Sequence, residues 1–261
     1  MSTDRTAAEP GGDLPPTIAL LWGLRESRRR GGGRPGLSLA RIVAAAIELA
    51  DAEGLPAVSM ARVAERLGFT TMSLYRYVAS KDELLLMMWD AAGGDPPDLP
   101  TGDDWRSRLE RWSWEDRATL HRHPWMLQLP ITGPPMGPRQ LAWLDRALQT
   151  LESTPLDEGE RLNAILLVTV YVLGQTRLAE EVRRGTQAAM DAAPGHELPT
   201  FTQMLDGLVD AEGYPALTRT MAAGAFDGSP DDDLDADFRY GLDRILDGIA
   251  ARIESLGADP S

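Results

Sequence analysis

The 261-residue chain contains no cysteine. Disulfide bonds, thiolate nucleophiles and cysteine-ligated zinc are therefore excluded, and a reducing compartment such as the cytoplasm fits the composition. Long hydrophobic runs are missing too: the longest uncharged apolar stretch, residues 162–176, is shorter than the roughly 20 residues that span a bilayer. The apolar residues 18–24 have no basic segment before them, which argues against a signal peptide. We expect a cytoplasmic protein with no membrane segment.

The sequence also lacks the patterns that carry catalysis. It has no glycine-rich nucleotide loop and no serine, histidine and aspartate pattern, so we expect no enzyme. His121 and His123 invite a metal site, but two residues apart on a helix they point to different sides. No carboxylate stands at ligand spacing from them. We therefore expect neither a metal nor a cofactor.

Positive charge is scarce overall but concentrated at the front of the chain. The net charge is −14, yet residues 1–81 hold 11 Lys and Arg against 8 Asp and Glu. Residues 82–261 hold 15 against 32. The front therefore carries a net charge of +3 and the rear a net charge of −17. This division indicates that the front contacts a polyanion and the rear does not.

No segment shows the two-residue alternation of a strand, so the pattern predicts an all-α protein. Residues 1–37 are rich in Gly, Pro and Arg and predict a flexible arm. Residues 38–92 predict a first helical domain, which a Gly-Pro break separates from a second domain over 98–256. Within the second domain, helices are predicted over residues 103–122, 138–152, 157–183, 199–222 and 233–256.

The first domain shows one helix-start pattern four times. Each start has an apolar residue, a hydroxyl-bearing N-cap, and a second apolar residue four positions into the helix. The four N-caps are Ser38, Ser59, Thr70 and Ser80, and Glu83 completes a capping box at the last of them. They predict helices over residues 38–53, 59–67, 70–77 and 80–92.

Two of these helices are short and joined by a Leu-Gly-Phe turn, which is typical of a helix-turn-helix. Gly68 can adopt the left-handed conformation that ends the first of them. In the second, Leu74 and Val78 point inward, whereas the helix leaves an unusual set of side chains outside. That set is Thr71, Met72, Ser73, Tyr75 and Tyr77. It suits a helix that packs against DNA, although an ordinary helical hairpin is the alternative.

The stretch LSLARIVAAAIELADAEGLPAVSMARVAERLGFTTMSLYRYVASKDELL, residues 37–85, resembles the N-terminal domain of TetR-family transcriptional regulators. The shorter ATLHRHPWML, residues 118–127, resembles the start of a tetracycline-repressor-type C-terminal domain. The resemblance implies an N-terminal helix-turn-helix domain followed by a helical ligand-binding and dimerisation domain.

The resemblance also implies residue roles at a double-stranded DNA operator. Thr71, Met72 and Ser73 match base-contacting positions, and Tyr75 and Tyr77 match aromatic positions that contact phosphates or a thymine methyl group. Lys81 matches a phosphate-contacting lysine. The expected DNA-contact set is Ser59, Arg62, Thr70, Thr71, Met72, Ser73, Tyr75, Tyr77 and Lys81. Some members read a base from the first turn of the second helix with a long polar side chain. Met60 and Ala61 occupy that turn here and cannot do so, which favours indirect readout.

The rear domain offers candidates for an effector pocket. Trp105, Trp112 and Asp116 follow helical spacing, which favours a packed core face over a cavity wall. Polar residues inside the apolar run 162–176 need partners, and either another helix or a ligand can supply them. The candidate pocket residues are Trp105, Trp112, His121, Trp125, Asn163, Thr169 and Gln175.

An apolar stripe follows the last predicted helix and comprises Phe238, Leu242, Ile245, Leu246, Ile249 and Ile253. Packing within one chain is one interpretation. The resemblance implies the other, a four-helix bundle that this helix and the one at 157–183 form with a second copy. Gly241 and Gly248 would permit close approach, and the acidic residues 231–233 would complement the helix dipole.

We therefore expect a dimeric transcriptional repressor that binds a palindromic operator and is released by a small, largely apolar effector of unknown identity. The alternative is a DNA-binding regulator whose rear domain binds a protein partner. The five arginines within residues 25–34 are either a solubilising tail or an arm that tracks phosphates.

Overall fold

A computed structural model describes residues 14–24, 36–100, 102, 104–131, 133–193, 199–226 and 234–257. The described residues form helices and no strand, which confirms the all-α prediction. The first five helices are α1 (Pro16–Leu21), α2 (Leu39–Glu53), α3 (Met60–Leu67), α4 (Thr71–Leu74) and α5 (Lys81–Gly93). The next three are α6 (Trp105–Arg122), α7 (Pro138–Thr150) and α8 (Glu158–Ala192). The last are α9 (Phe201–Leu205), α10 (Pro215–Ala222) and α11 (Leu234–Gly257), and 3₁₀ helices span Leu55–Ala57 and Pro124–Gln128.

Side-chain caps begin three of the four front helices as predicted. The hydroxyl oxygens of Ser38, Ser59 and Ser80 each accept a hydrogen bond from the backbone N–H three residues on. Thr70 is the exception, because its hydroxyl lies 2.9 Å from the Ser73 hydroxyl and caps no backbone N–H. The local cap pattern therefore predicted where helices begin better than it predicted each cap bond.

Several helices differ in length from their predicted spans. The predicted helix over 70–77 is α-helical only through Leu74, and residues 75–77 form a turn. Helix α8 extends to Ala192, beyond the predicted end at 183. The predicted helix over 199–222 is two helices, because Gly207 adopts φ +74° and Pro215 begins a new helix.

Helix α1 lies within the segment that composition predicted as a flexible arm. Leu20 is buried, and the Trp22 Nε1 donates a hydrogen bond to the Met136 carbonyl at 2.9 Å. Residues 16–24 therefore dock against the rear of the chain. The arginines of residues 25–34 and the acidic residues 231–233 lie outside the described residues.

Helices α6, α8 and α11 pack together as the centre of the rear. The Arg117 guanidinium of α6 pairs with Asp235 of α11 at 2.5 Å, and the rings of Tyr171 on α8 and Phe238 on α11 stack at 5.5 Å. Farther along, Arg252 of α11 pairs with Glu160 near the start of α8. Arg106, near the start of α6, pairs with Asp247 of α11. Together these contacts place α11 antiparallel to α8 and α6, so α6 and α8 run in the same direction.

The stripe predicted as a dimer surface on α11 is mostly interior, which corrects that interpretation. Phe238, Leu242, Leu246 and Ile249 are at most 7% exposed within a single chain. They face α6 and α8 of their own chain, and Ile245 is half-buried. The exposed apolar face lies on α8 instead, at Leu162, Leu166, Leu167, Val170, Leu178 and Val182.

By length and composition alone, α8 could cross a membrane, since its most apolar 18-residue window has a mean hydropathy of 1.4. No membrane segment was expected from the sequence, because the uncharged run within this helix, residues 162–176, is shorter than a bilayer-spanning segment. A helix of this kind also occurs in soluble proteins, where its apolar face packs against other helices.

Candidate DNA-binding surface and effector region

The helix-turn-helix is built around Gly68. This residue adopts φ +73° and ψ +30° as the C-cap of α3, and the next N–H, of Phe69, reaches the Ala64 carbonyl at 2.9 Å. Left-handed geometry of this kind is a common helix end. Val63 and Leu74 are fully buried behind the turn, so α4 is held against α3 with one face outward.

The outward face of α4 carries the predicted reading residues. Met72 is 71% exposed and Tyr75 is 47% exposed, which is unusual for large apolar side chains. Thr71 and Ser73 are half-buried beside them, and Thr70 is exposed. An exposed set of this composition on a supported short helix can meet base edges in the major groove.

Tyr77 differs from its prediction as an outward DNA contact. Its side chain is half-buried and packs against the core, and its hydroxyl donates a hydrogen bond to the Leu37 carbonyl at 3.1 Å. The chain turns after Leu74, and this turn carries Tyr77 inward while Tyr75 stays outside. Tyr77 therefore positions the start of α2.

The remaining predicted DNA contacts lie on either side of α4, at α3 and α5. Ser59 caps α3, and Lys81 is exposed in the first turn of α5. Arg62 donates to both carboxylate oxygens of Glu53 at 2.8 Å. Arg62 must leave that surface pair before it can contact a phosphate, whereas the exposed ammonium of Lys81 can approach one directly.

The front helices are joined to the rear by a carboxylate that the sequence analysis missed. Asp51, near the end of α2, accepts a hydrogen bond from the buried Trp125 Nε1 at 2.7 Å. His123 Nδ1 lies 2.8 Å from the same oxygen. His123 and Trp125 belong to the segment HRHPWML, which is recognisable in the sequence. Asp51 lies 72 and 74 positions away from them, so local spacing could not predict these contacts.

A second junction joins α5 to α7. The Asp90 carboxylate accepts hydrogen bonds from the backbone N–H groups of Arg139 and Gln140 at 3.0 and 3.1 Å. Burial raises the pKa of Asp90, and these N–H groups partly offset that rise. Gly137 is required here, because a Cβ at this position would overlap the Asp90 carboxylate.

The predicted effector residues are not gathered in one place. Trp112 is buried, donates to the Trp143 carbonyl at 3.1 Å and meets its ring edge-on at 5.9 Å. Trp105 and Gln175 are half-buried, and the Gln175 Oε1 has no hydrogen-bond partner in the described part of the chain. Trp125 is engaged by Asp51.

Three other candidate effector residues lie away from the buried Trp112. His121 is exposed, and the Thr169 hydroxyl donates to the Ile165 carbonyl of its own helix at 2.8 Å. Asn163 is exposed in a surface groove between α8 and α11, beside Ile245 and Arg252. The structure therefore places these polar groups on or near the surface and not around Trp112.

No group of three histidine or acidic side chains with metal-binding geometry occurs among the described residues. The titratable group that stands out in the rear is Asp116. Burial raises the pKa of its carboxyl to about 7.

Comparisons with known proteins cover nearly the whole chain. The family model of tetR-family bacterial regulatory proteins matches residues 42–88, and that of the tetracyclin repressor-like C-terminal domain matches residues 96–253. The HTH-type transcriptional repressor DrrR1 of Streptomyces coeruleorubidus is 37% identical, over 94% of this chain and 88% of its own length. An HTH-type transcriptional regulator of Saccharopolyspora erythraea is 31% identical, over 88% and 91%.

Solved structures agree with this match. The structure of ActR from Streptomyces coelicolor in complex with actinorhodin has a TM-score of 0.69 at 27% sequence identity. It covers 84% of this chain and 98% of ActR. Apo ActR has a TM-score of 0.67 at 25% identity.

Proposed function

Since the chain belongs to the TetR family of transcriptional regulators, which are not enzymes, we propose that it is a dimeric repressor of a two-fold symmetric operator. A small, largely apolar effector binds the rear domain and releases the DNA. Residues 38–92 form the DNA-binding domain and 98–256 the effector-binding and dimerisation domain. The exposed face of α4, with Met72 and Tyr75 outward, is the observation that carries this proposal.

Two copies join through α8. Its exposed apolar face, which includes Leu166 and Val170, is the kind of surface that a monomeric soluble protein rarely leaves open. A symmetric dimer presents two reading helices about one helical turn of DNA apart, roughly 34–36 Å, and so selects a palindrome.

Effector response rests on the ActR complex with actinorhodin and on the two junctions of this chain. Asp51 joins α2 to the Pro124–Gln128 helix, and Asp90 joins α5 to α7. A change in the packing of α6 or α7 is therefore transmitted to both ends of the front domain. An effector needs only to bind the DNA-incompetent arrangement better, and about 2.7 kcal/mol of difference gives a hundredfold release.

The roles of individual contacts are tested by fluorescence anisotropy on a bound duplex and on a panel of single-base variants. Lys81→Ala should weaken binding to every duplex about equally, because it removes a phosphate contact. Ser73→Ala should change the ranking among bases, at about 1–3 kcal/mol for a lost base contact. Asp98→Ala, an exposed change in the loop after α5, serves as the control. Unchanged affinity in both Lys81→Ala and Ser73→Ala would refute the assignment of the reading surface.

A further inference from the structure

Helix α1 is a defined element that lies outside the two regions, residues 42–88 and 96–253, that the family models match. Gly23, just after its last turn, adopts the left-handed conformation at φ +63°. The backbone N–H of Leu24 then donates to the Ala19 carbonyl at 2.9 Å, which is a common way to close a helix. A short helix that is closed in this way can dock as a unit.

Helix α1 docks on the loop that precedes α7. Leu20 is 7% exposed and belongs to the hydrophobic core, and Leu21 packs half-buried against that core. The Trp22 Nε1 donates a hydrogen bond to the Met136 carbonyl at 2.9 Å, although the two residues are 114 positions apart. Burial of one leucine and one directed hydrogen bond therefore fix where α1 docks.

The peptide that α1 contacts is held by two further side chains. The Met136 N–H donates to the Gln140 Oε1 at 3.1 Å. The next residue, Gly137, lies so close to Asp90 that a Cβ would overlap the carboxylate. The same carboxylate accepts hydrogen bonds from two N–H groups in the first turn of α7. Trp22, Gln140 and Asp90 therefore hold the start of α7 together.

The start of α7 is connected to the DNA-binding surface through α5. Asp90 lies in α5, and the Trp143 Nε1 of α7 donates to the Gly93 carbonyl at the end of α5 at 3.0 Å. Helix α5 begins at Lys81, a proposed phosphate contact, and it packs against α2. The position of the α7 start therefore sets the orientation of the front domain relative to the rear, and α1 helps to fix that position.

We propose that α1 is a strap that fixes the front domain against the rear and so sets the spacing between half-sites that the dimer accepts. This inference rests on the proposed dimeric repressor. Two reading helices held at one separation bind a matching duplex without further ordering, whereas loosely held helices lose conformational freedom on binding. Undocking of α1 should cost affinity for the matching duplex and leave each reading helix able to contact its own half-site.

The preference for one half-site spacing is a readout that a loss of stability alone does not change. One base pair inserted between the half-sites moves the second half-site by roughly 3.4 Å and turns it by about 35° around the duplex. A rigidly connected dimer binds that duplex much more weakly than the matching one. A dimer with a loosened connection tolerates the insertion better, so the ratio of the two affinities falls.

Leu20→Asp in the full-length protein tests the strap, because it places a charge at the buried contact of α1. Fluorescence anisotropy measures binding to the two-fold symmetric duplex selected from a random-sequence pool, to the same duplex with one inserted base pair, and to one half-site alone. We expect the ratio of the first two affinities to fall at least about threefold, with half-site binding unchanged. Leu24→Asp is the matched control, since Leu24 is 47% exposed in the same segment, and it should keep the wild-type ratio.

Trp22→Phe is a milder variant, which removes the donor to Met136 and keeps an aromatic ring. It should lower the ratio in the same direction by a smaller factor, and it carries the test if Leu20→Asp does not fold. Hydrogen exchange of the free protein gives a measurement that needs no DNA. Residues 136–141 should exchange faster in both variants than in the wild type, while residues 162–176 should not change.

An unchanged affinity ratio in both variants, or an equal fall in Leu24→Asp, overturns the proposed strap. So does unchanged exchange over residues 136–141, or a wild-type protein that binds both spacings equally well. Failure of the wild type to bind any two-fold symmetric duplex would instead refute the proposed repressor function. The exchange of residues 136–141 would then decide by itself whether α1 holds the start of α7.

Discussion

A single carboxylate, Asp51, joins the front helices to the rear. Asp51→Ala should leave the buried Trp125 Nε1 without an acceptor, which costs about 1–3 kcal/mol. We expect a lower melting temperature in calorimetry, whereas Asp98→Ala, an exposed aspartate in the loop after α5, should leave it unchanged. If both variants melt with the wild type, the Asp51 junction does not contribute to the stability of the fold.

Asp116 should make stability depend on pH in a defined window. The folded pKa of about 7 exceeds the usual value of 3.8, so the native state holds this proton more tightly than the unfolded chain does. Stability due to Asp116 is then greatest below about pH 4 and falls as pH rises to about 7.

Asp116→Asn removes that dependence. At about pH 8 the variant should be more stable than the wild type in urea denaturation, and the difference should shrink as pH falls toward 4. Glu115→Gln serves as the control, because Glu115 is the exposed neighbour of Asp116 and its loss should leave the pH dependence unchanged. A variant that is less stable than the wild type at about pH 8 would show that the carboxylate is stabilised by a partner.

At the scale of residues, the sequence predicted side chains whose role depends on local placement. Met72 and Tyr75 are outward because the turn and the two buried anchors of α4 force them there. Tyr77 and Asp51 were not predictable, because their roles depend on contacts with Leu37 and Trp125. Those contacts join residues that are far apart in the chain.

At the scale of elements, the turn between α3 and α4 depends on the left-handed backbone of Gly68. A Cβ there would meet no atom within 4 Å, so Gly68→Ala tests backbone strain alone. We expect a loss of about 1–2 kcal/mol in unfolding free energy, from the cost of that conformation for an L-residue. Weaker DNA binding should accompany it.

Gly185→Ala is the matched control for Gly68→Ala. Gly185 lies within α8, is exposed and likewise has open space around a Cβ. Alanine should stabilise the helix there by up to about 1 kcal/mol. The two glycine variants should therefore shift the melting temperature in opposite directions, and a shift in the same direction would contradict the assigned role of Gly68.

The exposed face of α8 predicts how the chain assembles. Val170 is 60% exposed in one copy, so Val170→Asp should not disturb the monomer but should place a charge in the dimer interface. We expect a folded monomer by light scattering, at concentrations where the wild type is a dimer. Ile131→Asp, at an exposed loop position, should leave the dimer intact.

If Val170→Asp is folded and dimerises as tightly as the wild type, the exposed face of α8 is not the dimer interface. Substitutions in the apolar stripe of α11 cannot be used for the same test. Aspartate at Ile249, which is 7% exposed, would disrupt the interior of the monomer itself.

At this scale, helix starts were predicted well because caps and turns are local. The ends of α4 and α8 and the orientation of α11 were not. An apolar stripe shows that a helix buries one face, but it does not show whether the covering helices belong to the same chain or to another copy. That distinction requires the positions of α6 and α8.

For the whole molecule, the distribution of charge and the contacts between the front and rear halves act together. The acidic rear repels DNA, so the basic front must supply the attraction, and the effector region lies in the half that avoids the polyanion. The division of the charge was visible in the sequence. The way the halves connect, through Asp51 and Asp90, needed the folded chain because each junction joins residues at least 49 positions apart.

Selection of bound duplexes from a random-sequence pool by the purified full-length protein tests the central claim most directly. We predict enrichment of a two-fold symmetric sequence whose half-sites lie about one helical turn apart, bound by an even number of chains. Tyr75→Ala should reduce the affinity for that sequence. A pool that stays random, or a selected sequence without symmetry that Tyr75→Ala binds equally well, would contradict a dimeric repressor that reads DNA through α4.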